Sequence, residues 1–496
     1  MKIQPLCSKL IITLAGIVLG IMVTTAAGLE LYAHLQPRLY PWHQVELDEE
    51  YGPDKYQSVT TFEQYLALEE RLFNQLEQTL YQSLPKDLQP LAGRFDHTSA
   101  FDSNTLANSD DGIAPVNWNH SQILPVTAPK AACLLIHGLS DAPYSLHQLA
   151  TTLQAQGCWV VAVRLPGHGT APAGLLAVQR EDFQRVVRMA AGYLRQQVAD
   201  DRPLYLFGYS MGASLALDYA IARAEGEDSP KADSLVLFSP AIGLYDIAQY
   251  SPWQERISHL PGLKKLAWNS VATEFDPYKY NSFAINAGAQ IYTLTTNLQQ
   301  RLAELAEQQR MAELPPILAF MSAVDVTVRS DATVDKLFRL LDGQDNHLVV
   351  YDINRTLYTP LLFTTDAHQV TSDLLSQPLA CRFTLISNRT PDSSSVDAMY
   401  SFDGKIEREP LAEPWPARLF SLAHTSLPFS PDDSLYGAGQ PFDGKSAALG
   451  QFDLLGERDV LTIPNGHRAR LRYNPFYQFQ EQTVLHFVNL AATTPD

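Results

Sequence analysis

The sequence predicts an α/β protein built on a mostly parallel sheet with helices on both faces. Three observations carry that prediction. From residue 131 onward, short and nearly continuous apolar runs alternate with helical stretches, the pattern of strands buried on both faces and joined by right-handed crossovers. The runs end on unusual loops, "HGLSD", "LPGHGTAP" and "GYSMG", and chemistry in such sheets gathers beyond the carboxyl ends of the strands. The balance of 46% hydrophobic, 18% charged and 10% aromatic residues in 496 supplies ample core, enough for one large domain with extensions or for two.

Charge and cysteine content remove several function classes. The formal net charge is −18 with no basic stripe, so nucleic acid is not an expected partner. The four cysteines, Cys7, Cys133, Cys158 and Cys381, form no C-x-x-C pair, which argues against a zinc framework or a dense disulfide scaffold. Cys133 and Cys158 pair only if their strands are neighbours; two buried free thiols is the other reading. Neither a metal nor an organic cofactor is implied.

Taken in order, residues 1–31 begin with Lys2 and Lys9, and then Leu10 to Leu29 runs without a charge. Twenty helical residues span about 30 Å, the thickness of a bilayer's hydrocarbon core. A retained anchor is expected, a signal peptide cut near "TTAAG" being the alternative. Positive charge before the span and the acidic "ELDEE" after it orient the remainder outside the cytoplasm. Residues 32–130 form an extension, in which "TTFEQYLALEERLFNQLEQTLYQSL" spaces Phe62, Tyr65, Leu66, Leu72 and Leu76 as one apolar helix face. "FDSNTLANSDDG" is a turn-rich boundary.

The first core part, 131–244, contains "ACLLIHG", "CWVVAVRLPGHG", "PLYLFGYSMGASLALDYA" and "SLVLFSP". In the third, a strand ends on Gly208-Tyr209-Ser210-Met211-Gly212 and turns at once into a small-residue helix. Glycines two positions either side of Ser210 fit a backbone too crowded for side chains, with the hydroxyl projecting from the turn as a nucleophile's would. A strand-to-helix turn whose glycines merely relieve crowding is the plainer alternative. A nucleophilic serine needs a base, an acid to orient that base, and N–H donors for the oxyanion. Met211 N–H, at a helix start, and Leu139 N–H, after "His137-Gly138", are the natural donors.

"LLIHGLSDAPYSL", "VAVRLPGHGTAP" and "GYSMG", in this order and at these intervals, resemble the α/β-hydrolase fold, and most closely its monoglyceride-lipase-like and serine-aminopeptidase-like esterase branch. The resemblance covers about 130 to 330 and, more loosely, the C-terminal part. It implies an acid after a later strand and a histidine after that. "SAVDVTV" matches the family's Ser-x-x-Asp-x-x-Val signature and makes Asp325 the acid. Of five later histidines, His347 begins a strand and so falls at the wrong rim, His368 and His467 sit in turn-rich or Arg-rich loops, and His486 reads as a packed residue of a C-terminal helix. His424 ends "ARLFSLAH", a strand end feeding a loop, and is taken as the base. That choice places an insertion at about 353–416 inside the second core part, 315–496. Residues 245–314 resemble a helical cap over the site. Trp253, Trp268 and Phe275 in it are candidates for an apolar substrate pocket, or else are the cap's own core.

The expected function is hydrolysis of carboxylic esters (acylglycerol, lysophospholipid or a similar acyl ester) through Ser210, His424 and Asp325, with the membrane as a further partner. The alternatives are a serine-aminopeptidase-like peptide hydrolase, reading a free amine with Glu255, Glu274 or Asp276, and a non-catalytic binding protein on the same fold.

Overall fold

A computed structural model describes residues 4–107, 116–245, 251–258, 263–341, 345–358, 379–402, 405–439 and 471–491, with positions 260, 343, 371, 449 and 450 between them. The chain enters on helix α1 (Gln4–Leu35). Its stretch Thr13–Leu35 is long and apolar enough to cross a membrane, with a mean hydropathy of 1.9.

Helix α2 (Phe62–Leu76) follows in the extension. Thr61 Oγ1 accepts from Gln64 N–H while Gln64 Oε1 accepts from Thr61 N–H, so two orphan donors of the first turn are satisfied reciprocally. Its face of Phe62, Tyr65, Leu68, Leu72 and Leu76 is buried, as expected, with Leu68 added and Leu66 only half-buried. Polar contacts join the extension to the body. Tyr65 Oη donates to Arg164 O at 2.9 Å, and the buried Arg164 guanidinium meets Glu50 at 2.9 Å. A single turn, α3 (Ser103–Ala107), closes this part.

Among the described residues the body is one ten-stranded sheet. Its strands are β1 (Gln122–Leu124), β2 (Ala131–Ile136), β3 (Cys158–Val163), β4 (Leu204–Tyr209), β5 (Ser234–Phe238), β8 (Ile317–Ser322), β9 (His347–Tyr351), β10 (Arg382–Asn388), β11 (Val396–Phe402) and β12 (Lys405–Pro410). A separate two-stranded ribbon, β6 (Trp268–Ser270) with β7 (Phe283–Ala284), lies between β5 and β8 in sequence. The sheet order is β1-β3-β2-β4-β5-β8-β9-β10-β11-β12. Every pairing from β3 through β10 is parallel, and β1, β11 and β12 pair antiparallel at the two edges.

Helix α4 (His147–Ala155) and the C-terminal helix Tyr477–Phe487 cover one face of the sheet. Helices α5 (Arg180–Gln197), α6 (Met211–Ala224) and α8 (Ile285–Glu307) cover the other. Cys133 and Cys158 sit on paired strands two residues out of register, Cys158 facing Ala131 and Cys133 facing Val160, and both are buried free thiols.

Two features depart from the sequence reading. The segment 245–314 is not a cap throughout. Its long helix α8 is the crossover helix between β5 and β8, with Leu294, Leu298, Leu302 and Leu305 in the main core. Arg301 pairs with Asp218 and Glu225 along α6. The physical reason is the apolar stripe of α8, which a helix standing off the sheet would leave in water. Only the stretch before it, with α7 (Ser251–Ser258), the ribbon and the turn at 277–282, remains outside the layers. Secondly, part of the insertion at 353–416 extends the sheet with β10, β11 and β12 instead of forming a separate lobe. All six residues of β12, "KIEREP", are exposed, and its charges and terminal proline suit an outermost strand that must not pair further.

Candidate active site

Between β4 and α6 there is one residue, Ser210, at φ 54° and ψ −115°. Such a backbone costs on the order of 1–3 kcal/mol and persists only where the surroundings impose it. Here they do. A Cβ on Gly208 would overlap the backbone of Gly212 and Ala213, and one on Gly212 would overlap the carbonyl oxygen of Ile136 at the end of β2. The turn is also tied to β5, because Ser210 N donates to Phe238 O at 2.9 Å and Ala241 N donates to Ser210 O at 3.3 Å. The glycines are therefore required by close approach of strand and helix, and the serine projects from a turn that cannot relax.

Asp325 follows β8 in the loop 323–329. Its Oδ1 accepts from Thr327 N at 2.7 Å and Val328 N at 3.1 Å. Its Oδ2 lies 2.8 Å from His424 Nδ1. Asp325 is 3% exposed and His424 5%. With Nδ1–H donated to the carboxylate, Nε2 of the neutral ring is the acceptor, which is the tautomer a general base needs. The imidazole also lies beside the residue preceding Ser210, its ring centroid 5.4 Å from that of Tyr209.

The element that carries His424 differs from the expectation. Residues 417–423 form no strand, and His424 opens a short 3-10 turn, His424–Ser426. The approach is held instead by the loop after β9: Asn354 N donates to Phe420 O at 2.6 Å and Asn354 Nδ2 to Leu419 O at 2.9 Å. Those bonds satisfy the backbone that strand pairing would otherwise have satisfied. His347, in contrast, begins β9 with Nε2 2.8 Å from Thr384 Oγ1. His486 is exposed on the C-terminal helix and not packed, its Nδ1 meeting Gln482 O. His368 and His467 lie outside the described residues.

Met211 opens α6, so its N–H has no acceptor within the helix. The peptide before Leu139 is fixed by His137, which is fully buried. His137 Nδ1 meets Gly138 O at 2.8 Å, and its Nε2 accepts from Leu165 N at 3.0 Å. Burial pushes this imidazole well below its ordinary pKa, so it stays neutral. In a trans peptide the C=O and N–H point in opposite directions. Fixing the Gly138 carbonyl therefore fixes the direction of Leu139 N–H.

The three aromatic pocket candidates are not brought together. Trp253 is 66% exposed, with the Arg256 guanidinium over its ring. Trp268 is 4% exposed and packs edge-on against His43 at 4.7 Å. Phe275 packs against Phe101. Trp268 and Phe275 thus serve to join the 245–284 stretch to the extension. A cleft of about 1060 Å³ does open between these two parts, lined among others by His43, Glu46, Tyr51, Asp182, Leu260 and Trp268. Ser210, Asp325 and His424 are not on its walls. Beside the Leu139 loop the structure places two charged residues that motif reading did not single out, Asp141 and Lys279, joined at 2.8 Å. They are 138 positions apart, so no local pattern announces the pair.

Residues 127–355 match the family model described as serine aminopeptidase, S33. The thermostable monoacylglycerol lipase of Bacillus sp. (strain H-257) is 30% identical over 115 residues, covering 23% of this chain and 42% of that protein. Phospholipase YtpA of Bacillus subtilis (strain 168) is 27% identical over 116 residues, with the same two coverages. The chain thus spans less than half the length of either relative. Among solved structures, the Paleococcus ferrophilus monoacylglycerol lipase aligns with a TM-score of 0.36 and 18% identity, over 47% of this chain and 87% of its own. With its parallel sheet and its serine elbow between β4 and α6, the body of this chain has the α/β-hydrolase fold, and residues 127–355 of it match the serine aminopeptidase, S33, family model.

Proposed function

We propose that the chain is a serine hydrolase of carboxylic esters, tethered to a membrane by α1 with its body outside the cytoplasm. The observation that carries the reading is the buried His424–Asp325 bond at 2.8 Å, formed at the rim where Ser210 stands on its strained elbow. In this mechanism His424 Nε2 takes the proton of Ser210 as Oγ attacks the ester carbonyl. The N–H groups of Leu139 and Met211 hold the oxyanion, and Asp325 orients the imidazole and stabilises its charge. His424 returns the proton to the leaving alcohol. Water, deprotonated by the same ring, then releases the acyl group. The partial likeness to a monoacylglycerol lipase and a phospholipase supports acylglycerols or lysophospholipids as the substrate class.

Amine-directed peptide hydrolysis is the weaker reading, for a specific reason. Glu274 accepts from Asn281 N and Ser282 N, and Asp276 from Arg472, Tyr436, Tyr278 N and Lys279 N. Both carboxylates are fully buried and already saturated with donors, so they have little left to offer a substrate amine.

The test is a fluorophosphonate probe together with short p-nitrophenyl esters. Wild type should be labelled at Ser210 alone and should hydrolyse the esters. Ser210→Ala should lose both, apart from the residual rate that oxyanion donors supply. Labelling that persists in the alanine variant would overturn the assignment of the nucleophile.

A further inference from the structure

We propose that Lys279 is a positioning residue for this site, acting through the Leu139 loop in two ways: it staples the loop, and it neutralises a carboxylate beside the reacting centre. The proposal rests on the esterase reading, in which Leu139 N–H holds the oxyanion.

The staple is built from three bonds reaching from one turn. Lys279 Nζ donates to Asp141 Oδ1 at 2.8 Å and to Ser140 Oγ at 3.1 Å, and Tyr280 N donates to Ser140 O at 2.8 Å. They converge on the residues just after Leu139. Ser140 stands at φ 65°, a left-handed backbone that a serine holds only when its surroundings impose it. The turn that reaches out is itself anchored. Asp276 is fully buried, with Tyr436 Oη at 2.5 Å and Arg472 Nη1 at 2.7 Å. On its other side the extension grips it, through Arg94 N to Glu274 O at 3.0 Å and Glu274 N to Leu91 O at 2.9 Å. The extension and the chain beyond His424 therefore both act on the same turn, and the turn acts on the oxyanion loop.

The charge argument comes from Asp141. A Cβ built on Gly138 would lie 2.8 Å from Asp141 Oδ2 and 3.1 Å from Ser210 Cβ, so the carboxylate stands within a few ångströms of the nucleophile. An oxyanion forming there would be repelled by it. Asp141 is 7% exposed, so water screens this repulsion poorly. Lys279 supplies the opposing charge at 2.8 Å. Electrostatic and mechanical roles predict different double variants, and that difference is the test.

The full chain is assayed for ester kcat and KM and for the rate of fluorophosphonate labelling at Ser210. Lys279→Met should lower kcat and the labelling rate by about 100-fold, the scale of losing one oxyanion donor, with KM changed little. Lys279→Arg should recover most of the rate. Asp141→Asn introduced into the Lys279→Met background should recover at least about 10-fold, because it removes the unopposed charge. A Lys279→Met enzyme with normal kcat and labelling rate would overturn the proposal. So would a double variant no faster than Lys279→Met, which would leave only a structural staple. Wild type that the probe does not label would instead overturn the esterase reading, and the positioning role with it.

Discussion

At the scale of the residue, the imidazole that meets Asp325 is the most exposed point of the mechanism to experiment. His424 Nδ1 is 2.8 Å from Asp325 Oδ2, and the other oxygen of that carboxylate is held by two backbone N–H groups. His424→Ala should lower turnover by several orders of magnitude, and the Ser210→Ala, His424→Ala double variant should be scarcely worse than either single one, since nucleophile and base act as a unit. Near-normal turnover in His424→Ala would remove it as the base. The Gly-x-Ser-x-Gly pattern was legible because steric crowding at Gly208 and Gly212 is written in the residue type itself. The Lys279–Asp141 pair was not, because an ion pair across 138 positions leaves no local signature.

At the scale of the element, β9 shows how strand polarity separates two histidines. His347 opens β9, so its side chain lies at the amino-terminal rim, away from the loops that carry Ser210 and Asp325. Burial lowers its pKa to about 4. A histidine whose folded pKa lies below its unfolded value of 6.5 stabilises the fold fully above 6.5. That contribution is lost as pH falls through the window from 6.5 towards 4. His347→Gln should therefore flatten the acid limb of the stability curve, by on the order of 2–3 kcal/mol between those limits, while kcat at neutral pH stays as in wild type. Denaturant unfolding at a series of pH values measures this, and an unchanged acid limb would contradict it. The segment before His424 teaches the converse. An apolar run, "ARLFSLA", reads as a strand, yet it forms no more than an isolated bridge at Leu419, and Asn354 satisfies the carbonyls of Leu419 and Phe420 from the neighbouring loop. Period-2 hydrophobicity reports burial, and burial does not require a ladder.

For the whole molecule, α1 and the body must be considered together. The last turns of α1 touch the body, with Ala33 buried against Leu263 and Leu266, and Lys265 Nζ donating to Gln36 O at 2.9 Å. The apolar residues further up the helix, from Leu14 to Val23, stand exposed. A retained anchor leads to a clear expectation: carbonate washing should leave the protein in the membrane fraction, and protease added from outside the cytoplasm should digest the body. A mature protein beginning near Gly28 would show a cleaved signal peptide instead.

The class of fold, the alternation of core strands with helices and the serine elbow were readable from the sequence, because these rest on local periodicity and on residues whose type alone dictates backbone geometry. Tertiary structure alone decided three further matters. It laid α8 on the sheet and not over the site, since only the assembled faces show which apolar stripe finds a partner. It added β10, β11 and β12 to the edge of the sheet, since strand neighbours are a matter of topology rather than of composition. It brought His424 to Asp325 across 99 positions, a meeting that depends on where a long insertion returns the chain, which no periodicity along the sequence records.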